Sequence, residues 1–268
     1  MPMAELRIWN LDGKTAIVCG SSQGIGQACA QAMADLGASV VLIARDIAKL
    51  HAAAAQLSCN AGQTHRCLVA DFADAQHVEN AIASFLGGHP AVHILVNNTG
   101  GPPAGTAIDA TLDQFRQAFN NHLLCNQVLV QAVVPSMRQS GYGRIINIIS
   151  TSVKQPIVGL GVSNTIRAAV ANWAKTLATE LGPQGITVNN VLPGMTETSR
   201  LRSLITSKAE QSQRSVSEVE QAMKDEIPLR RFATAAEIAA AVAFLASPAA
   251  SYINGINLPV DGGRTQCL

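Results

Sequence analysis

The sequence predicts one α/β domain, a doubly wound sheet of seven parallel strands with helices on both faces. Three observations carry this. Short apolar runs alternate with longer helical patterns from residue 15 to residue 260, and that alternation means parallel strands joined by right-handed helical crossovers. The 268 residues are rich in Ala, Val, Ile and Gly and only 4% aromatic, which suits a sheet buried on both faces. No linker, internal repeat or low-complexity segment interrupts the series, so residues 1–268 read as a single domain.

The first unit is strand, glycine turn, helix. Residues 15–18 form a buried strand, Gly20, Gly24 and Gly26 follow, and residues 27–36 set Ala28, Ala32 and Leu36 on one side at helical spacing. Such a turn lets backbone amides approach a phosphate, with the partial positive charge of a helix N-terminus behind them. A tight turn that binds nothing is the plainer alternative. A second strand spans 39–44 and an Ala-rich helix 46–57; the third strand, 67–70, ends at Asp71. A helix over 75–86 stops at Gly87, Gly88 and Pro90. The fourth strand, 92–96, enters Asn97-Asn98-Thr99-Gly100, and a Gly/Pro loop covers 101–105. Residues 112–137 form a long helix with Pro135 near its end, followed by strand five over 144–149. The next helix, 165–181, ends at Gly182-Pro183, and strand six, 186–191, runs into Pro193-Gly194. Residues 197–224 are polar and helix-prone, 235–246 are Ala-rich and helical, and 256–260 make the last strand. Ligands of such sheets lie beyond the carboxyl ends of the strands, which brings Gly20, Arg45, Asp71, Asn98, Ser150 and Gly194 to one cleft.

Charge and cysteine usage exclude other classes. Lys and Arg number 19 against 18 Asp and Glu, with no basic block for nucleic acid and no acidic tail. No apolar run reaches the roughly 18 residues of a membrane span. Residues 1–10, with Glu5 and Arg7, lack a signal-peptide core, so a cytoplasmic protein is expected. Cys19, Cys29, Cys59, Cys67, Cys125 and Cys267 show no Cys-x-x-Cys spacing; no metal is expected, and most read as small buried hydrophobes. Asn97-Asn98-Thr99 matches a glycosylation acceptor, which carries no weight without secretion.

Several short motifs now line up: Gly20-x-x-x-Gly24-Ile25-Gly26, Asp71 after strand three, Asn97-Asn98-Thr99-Gly100, Asn147-Ile148-Ile149-Ser150, Pro193-Gly194, and Tyr252-Ile253-Asn254-Gly255 before Asp261-Gly262-Gly263. In order and spacing, from about residue 11 to 263, the chain resembles the short-chain dehydrogenase/reductase family, and more closely its 3-oxoacyl carrier-protein reductase-like branch. The resemblance implies a Rossmann-type fold, a bound nicotinamide dinucleotide and the interconversion of a small-molecule carbonyl and a secondary alcohol. It implies that Gly20, Ser22, Gln23, Gly24, Ile25 and Gly26 line the pyrophosphate and ribose, and that Asp71 and Phe72 sit at the adenine. Asn98 and Gly100 would pack on the ribose, with Pro193, Gly194 and Thr196 at the nicotinamide end. Taken alone, Asp71 is a strand-end turn residue or helix cap.

An acidic residue after strand two accepts from the ribose 2′-hydroxyl and repels a 2′-phosphate. Ala44 stands where NAD-preferring relatives carry Asp, and Arg45 follows. A guanidinium suits the phosphate, so NADP(H) is favoured over NAD(H), although Asp46 could instead pair with Arg45.

The family's catalytic set is Asn, Ser, Tyr and Lys, with Tyr thirteen residues after Ser and Lys four after Tyr. Counting from Ser150 reaches Ser163 and then Arg167. Tyr142 precedes strand five, at the wrong end of the sheet, and Tyr252 sits in the final turn. The Asn position falls on His122, or on Asn121 with a one-residue shift. A Tyr phenol titrates at about 10 and a nearby cation lowers it, whereas a Ser hydroxyl needs an adjacent base and Arg stays protonated. Arg167 can still bind ribose hydroxyls and hold positive charge near the substrate oxygen. Ser150 and Ser163 are expected to hold that oxygen, with the proton coming from His122, Lys154 or an ordered water. Singly, His122 also reads as a helix-face residue bonded to a neighbouring carbonyl, and Lys154 as an exposed loop lysine.

Substrate contacts are expected from 153–162, with Gln155-Pro156-Ile157 and Leu160, and from an amphipathic lid over about 196–225 that carries Leu201, Leu204, Ile205, Val216 and Val219. The loop 99–105 narrows the cleft from the other side. The family resemblance implies a homotetramer, or a dimer, through the helices over 112–137 and 165–181, both read as carrying more apolar surface than one sheet face needs. Two further readings follow from the missing Tyr and Lys: a non-redox enzyme on the same scaffold, or a cofactor-binding inactive or sensor protein.

Overall fold

The computed structural model describes residues 7–88 and 91–267; Pro90, read above as a helix stop, and Glu5 lie outside them. Seven strands, β1 (Thr15–Cys19), β2 (Ser39–Ala44), β3 (Arg66–Val69), β4 (Ile94–Asn97), β5 (Gly143–Ile148), β6 (Ile186–Pro193) and β7 (Asn257–Val260), form one parallel sheet in the order β3-β2-β1-β4-β5-β6-β7. The order reverses between β1 and β4, and the crevice at such a switch point is where a ligand binds in sheets of this kind.

Alternate strand residues face opposite sides, as the pleat requires. Ala16, Val18, Val40, Leu42, Ile94 and Val96 pack with helices α1 (Gly24–Asp35), α2 (Ile47–Ala54) and α9 (Ala235–Ala246). Ile17, Cys19, Val41, Ile43, Leu95 and Ile145 pack on the other face with α3 (Ala75–Leu86), α5 (Cys125–Ser140) and α6 (Gly161–Leu181). Among the described residues no helix is long and apolar enough to cross a membrane. Three of the six cysteines, Cys19, Cys29 and Cys125, are buried in these layers, and Cys59 and Cys267 are exposed.

A ladder of asparagines crosses four strands. The Asn97 amide donates to Asn147 Oδ1 (2.8 Å), Asn147 to Asn190 Oδ1 (2.9 Å) and Asn190 to Asn257 Oδ1 (2.8 Å). The same residues are register partners across β4, β5, β6 and β7. A slip of one residue would leave buried amides unpaired, at about 1–3 kcal/mol each, so the ladder pins the register beneath the cleft.

Three elements depart from the sequence reading. The helix over 112–137 is two helices, α4 (Leu112–Phe119) and α5, joined by a π-helical turn at Asn120–Leu124. Asn120 anchors that turn by donating to the carbonyls of Phe72 and Ala73 (3.1 and 3.0 Å). A single inserted residue leaves too small a mark on apolar spacing to be read from sequence. The segment over 197–224 is also two helices, α7 (Ser199–Ser212) and α8 (Val216–Asp225), capped by Thr198 and Ser215 and separated at Gln213, whose φ of 53° is left-handed. Leu201, Ile205, Val219, Met223, Ile227 and Phe232 give this pair its own apolar cluster. Finally α6 starts one turn earlier than read. A Cβ on Gly161 would lie 2.3 Å from the Ala107 nitrogen, so glycine lets this helix end seat on the loop after β4. Gly161 also donates to the Gly105 carbonyl (2.9 Å).

Candidate active site

A cleft of about 930 Å³ opens beyond the carboxyl ends of the strands. One wall is the glycine turn. Gly20 and Gly24 both have φ of +60°, a conformation that L side chains rarely adopt. A Cβ on Gly20 would stand 2.7 Å from the Asn98 carbonyl oxygen. Gln23 precedes α1 without a side-chain cap, unlike Asp46 and Asp74 ahead of α2 and α3. The first-turn amides of α1 are therefore left for a ligand, and Ser22, Gln23, Gly24 and Ile25 line the cleft there. Asn98 ties the turn to β4 by donating to the Cys19 carbonyl (3.2 Å). Gly26 is a correction: it does not line the cleft. It is buried in α1, where a Cβ would meet the Gly20 oxygen at 2.2 Å, so its role is close helix-to-strand packing.

At the far end, Arg45, Asp71 and Phe72 line the cleft. Arg45 Nε lies 4.0 Å from Asp71 Oδ1, with both side chains well exposed. Asp46 does not take Arg45. It caps α2 by accepting from the Lys49 amide (3.1 Å) and pairs with the Lys49 ammonium (3.4 Å), and those contacts hold its carboxyl below the usual range. Asp71 also accepts from the Ala73 amide (3.0 Å), so it serves the turn as well as the cleft.

The opposite wall is built from β5, α6 and the start of α7. Ser150, Ser163 and Arg167 all line the cleft, as do Gly100, Pro193, Gly194 and Thr196. The early start of α6 puts Ser163 in its first turn, with Arg167 one turn on. Arg167 is 8% exposed and donates from Nη1 to the Ile148 carbonyl (2.8 Å), while its Nε has no partner. Burial, then the nearby Arg200, pushes its pKa down to about 10.

His122 and Lys154 are not brought to the cleft surface. His122 is 3% exposed, and its Nδ1 shares a 2.6 Å hydrogen bond with Thr99 Oγ1. Burial, followed by the charges of Arg167 and Arg200, pushes its pKa down to about 2. It is neutral at pH 7, and its hydrogen-bond partner Thr99 is a residue that does line the cleft. The neighbouring Asn121 also lines the cleft. Lys154 stands outside the lining, its carbonyl accepting from the Cys267 thiol. Neither tyrosine is near: Tyr142 donates to the Ala246 carbonyl (2.6 Å) at the opposite end of β5, and Tyr252 is fully exposed.

Ile157, Val158 and Leu160 from one expected substrate segment and Leu201 and Leu204 from the other line the cleft, whereas Gln155 and Pro156 do not. Ile205 and Val219 turn into the cluster within α7 and α8. Sequence reasoning missed Arg200. From the first turn of α7 it reaches across the cleft mouth, donating to the carbonyls of Gly101 (2.8 Å) and Pro102 (2.9 Å). No spacing rule marks an arginine whose partners lie a hundred residues away.

Residues 20–265 match a protein-family model described as enoyl-(acyl carrier protein) reductase. The chain is 33% identical to the 7alpha-hydroxysteroid dehydrogenase of Escherichia coli (strain K12), over 96% of each protein. It is 32% identical to the 3-oxoacyl-[acyl-carrier-protein] reductase FabG of Vibrio harveyi, over 95% of this chain and 98% of that one. Among solved structures, the L-sorbose reductase of Gluconobacter frateurii, complexed with NADPH and L-sorbose, superposes with a TM-score of 0.91 at 32% identity, covering 97% of this chain and all of that one. YwfH, an NADPH-dependent reductase of bacilysin biosynthesis, gives 0.89 at 27% identity, covering 95% and 99%.

Proposed function

The chain belongs to the short-chain dehydrogenase/reductase family, and on that premise we propose that it is an NADP(H)-dependent oxidoreductase interconverting a carbonyl and a secondary alcohol with a rebuilt proton site. The observation that carries the reading is the complete glycine wall: two left-handed glycines, a close approach to Asn98 that only glycine permits, and an uncapped helix N-terminus. These suit a pyrophosphate. Arg45, free of Asp46 and only loosely beside Asp71, suits a 2′-phosphate. The NADPH dependence of YwfH, and the NADPH bound in the sorbose reductase structure, point the same way.

The nicotinamide, when bound, supplies or accepts the hydride. The chain's own residues do the rest. Ser163 and Arg167 stand for the family's Tyr and Lys: Ser150 and Ser163 hold the substrate oxygen by hydrogen bonds, and Arg167 binds ribose hydroxyls and keeps positive charge beside that oxygen. With His122 neutral behind Thr99, the proton passes through a water held by the two serine hydroxyls. An unchanged pH profile in His122→Ala is the expected result, and a lost limb would restore the histidine route.

We propose that the enzyme is cytoplasmic and a homotetramer, or a dimer, through the helices over 112–137 and 165–181. The support is one-sided: Leu112, Phe119 and Leu124 are exposed apolar residues on the α4–α5 stretch, whereas α6 exposes no large apolar residue. Fluorescence titration with NADPH followed by turnover on a carbonyl panel tests the function. Binding with turnover supports it, tight binding without turnover favours a sensor, and no binding favours a non-redox enzyme.

A further inference from the structure

Charge along the cleft is unevenly divided. Its two lining carboxylates, Asp46 and Asp71, sit at the far end beside Lys49 and Arg45. At the other end Arg167, Arg200 and Lys208 line the cleft with no carboxylate partner among the described residues. Arg167 and Arg200 both lie against Gly101: a Cβ there would stand 3.5 Å from Arg167 Nη2 and 3.0 Å from Arg200 Nη2, so the two guanidinium groups are neighbours and Gly101 closes one side of them. Two neighbouring guanidinium groups that share no carboxylate side chain raise each other's energy, more so when one is buried. Each has spare donors, for a guanidinium carries five N–H groups. Arg200 uses two on backbone carbonyls, and Arg167 uses one and leaves its buried Nε unpaired.

We propose that Arg200, with the donors of Arg167 that the ribose leaves free, forms a carboxylate-binding subsite and that the substrate is a small oxo acid with an apolar tail. The assignment rests on the reading of the cleft as a carbonyl-reducing site. Arg167 lies one helical turn from Ser163, so the groups proposed to hold the carboxylate and the carbonyl oxygen come from neighbouring turns of one helix. Leu204, Met195 and Ile157, which also line the cleft, are apolar cover for the tail. Arg200 is the specificity residue here: a forked donor matches a carboxylate and not an ester.

The test compares 4-methyl-2-oxopentanoate with its methyl ester, in NADPH turnover and in calorimetric titration with and without NADP. The expected result is a kcat/KM at least tenfold higher for the acid. Arg200→Gln lowers that acid-to-ester ratio at least tenfold, mainly through KM, and Arg200→Lys recovers part of it. An ester as good as the acid overturns the proposal, as does a ratio untouched by Arg200→Gln. Weaker NADPH binding in Arg200→Gln with an unchanged ratio assigns the arginine to the cofactor and also overturns it. If NADPH does not bind at all, the proposed function fails separately. Titration of the acid into the protein alone then decides: binding that Arg200→Gln abolishes supports the subsite, and no binding overturns it.

Discussion

The two walls of the cleft are made of different material. The glycine wall is backbone: carbonyls, amides and the absence of a Cβ at Gly20, with Gly26 packed behind it. The opposite wall, from the end of β5, α6 and the start of α7, is side chain: Ser150, Ser163, Arg167 and Arg200. Backbone geometry leaves little substitution free, because a Cβ at Gly20 or Gly26 collides with main-chain oxygens and the left-handed φ of Gly24 strains any other residue. A wall of side chains can exchange a phenol for a hydroxyl, or an ammonium for a guanidinium, while the helix beneath keeps its place. The difference teaches where such a cleft tolerates change: in the wall made of side chains, and far less in the wall made of backbone.

The contrast can be broken in several ways. The largest effect is expected at Gly26→Val, where the first added carbon meets the Gly20 oxygen at 2.2 Å. Overpacking against backbone should cost about 3 kcal/mol or more, read as a lower urea midpoint together with loss of NADPH binding. A variant as stable as the parent would show that this wall is softer than its geometry. Next, Ser163→Tyr with Arg167→Lys should raise turnover on simple ketones about 100-fold, the scale of a restored general acid; steady-state kinetics reads it, and no gain would mean that the wall has changed in more than its proton donor. Arg45→Gln should weaken NADPH about tenfold and leave NADH alone, the loss of one charge-assisted contact, measured by paired fluorescence titrations.

The smallest effect tests the neutral histidine. His122 has its folded pKa lowered from 6.5 to about 2, so the unfolded chain binds the extra proton. Its contribution is intact above pH 6.5 and is lost as pH falls below it, by about 1.4 kcal/mol per unit. Urea midpoints at pH 7.5 and 5.5 should therefore separate more in the parent than in His122→Asn. Equal separations would mean that His122 is charged in the fold.

Much of the fold was legible because its signals are local. The alternation of apolar runs and helical patterns placed all seven strands, and the bounds of β2 and α3 match the structure. The glycine turn was legible for the same reason, since a strand, three glycines and a helix sit within some twenty residues. Where sequence reasoning failed, the deciding contact was distant. The π-helical turn depends on Asn120 reaching Phe72 and Ala73. The early start of α6 depends on Gly161 meeting Ala107. The partner of Asp46 was left open rather than misread: spacing allowed Arg45 as well as Lys49, and the structure pairs it with Lys49.

By itself the sequence determined the parallel sheet, the glycine wall, and the presence of Ser163 and Arg167 thirteen and seventeen residues after Ser150. Periodicity and fixed intervals carry that information along the chain. Only the tertiary structure decided which groups face the cleft. It buried His122 behind Thr99, drew Gly26 into the helix packing, left Lys154 outside, and swung Arg200 across to the Gly101 loop beside Arg167. The reason is physical: burial and charge pairing depend on what lies opposite in space, and for this cleft the opposing residues come from segments a hundred residues apart.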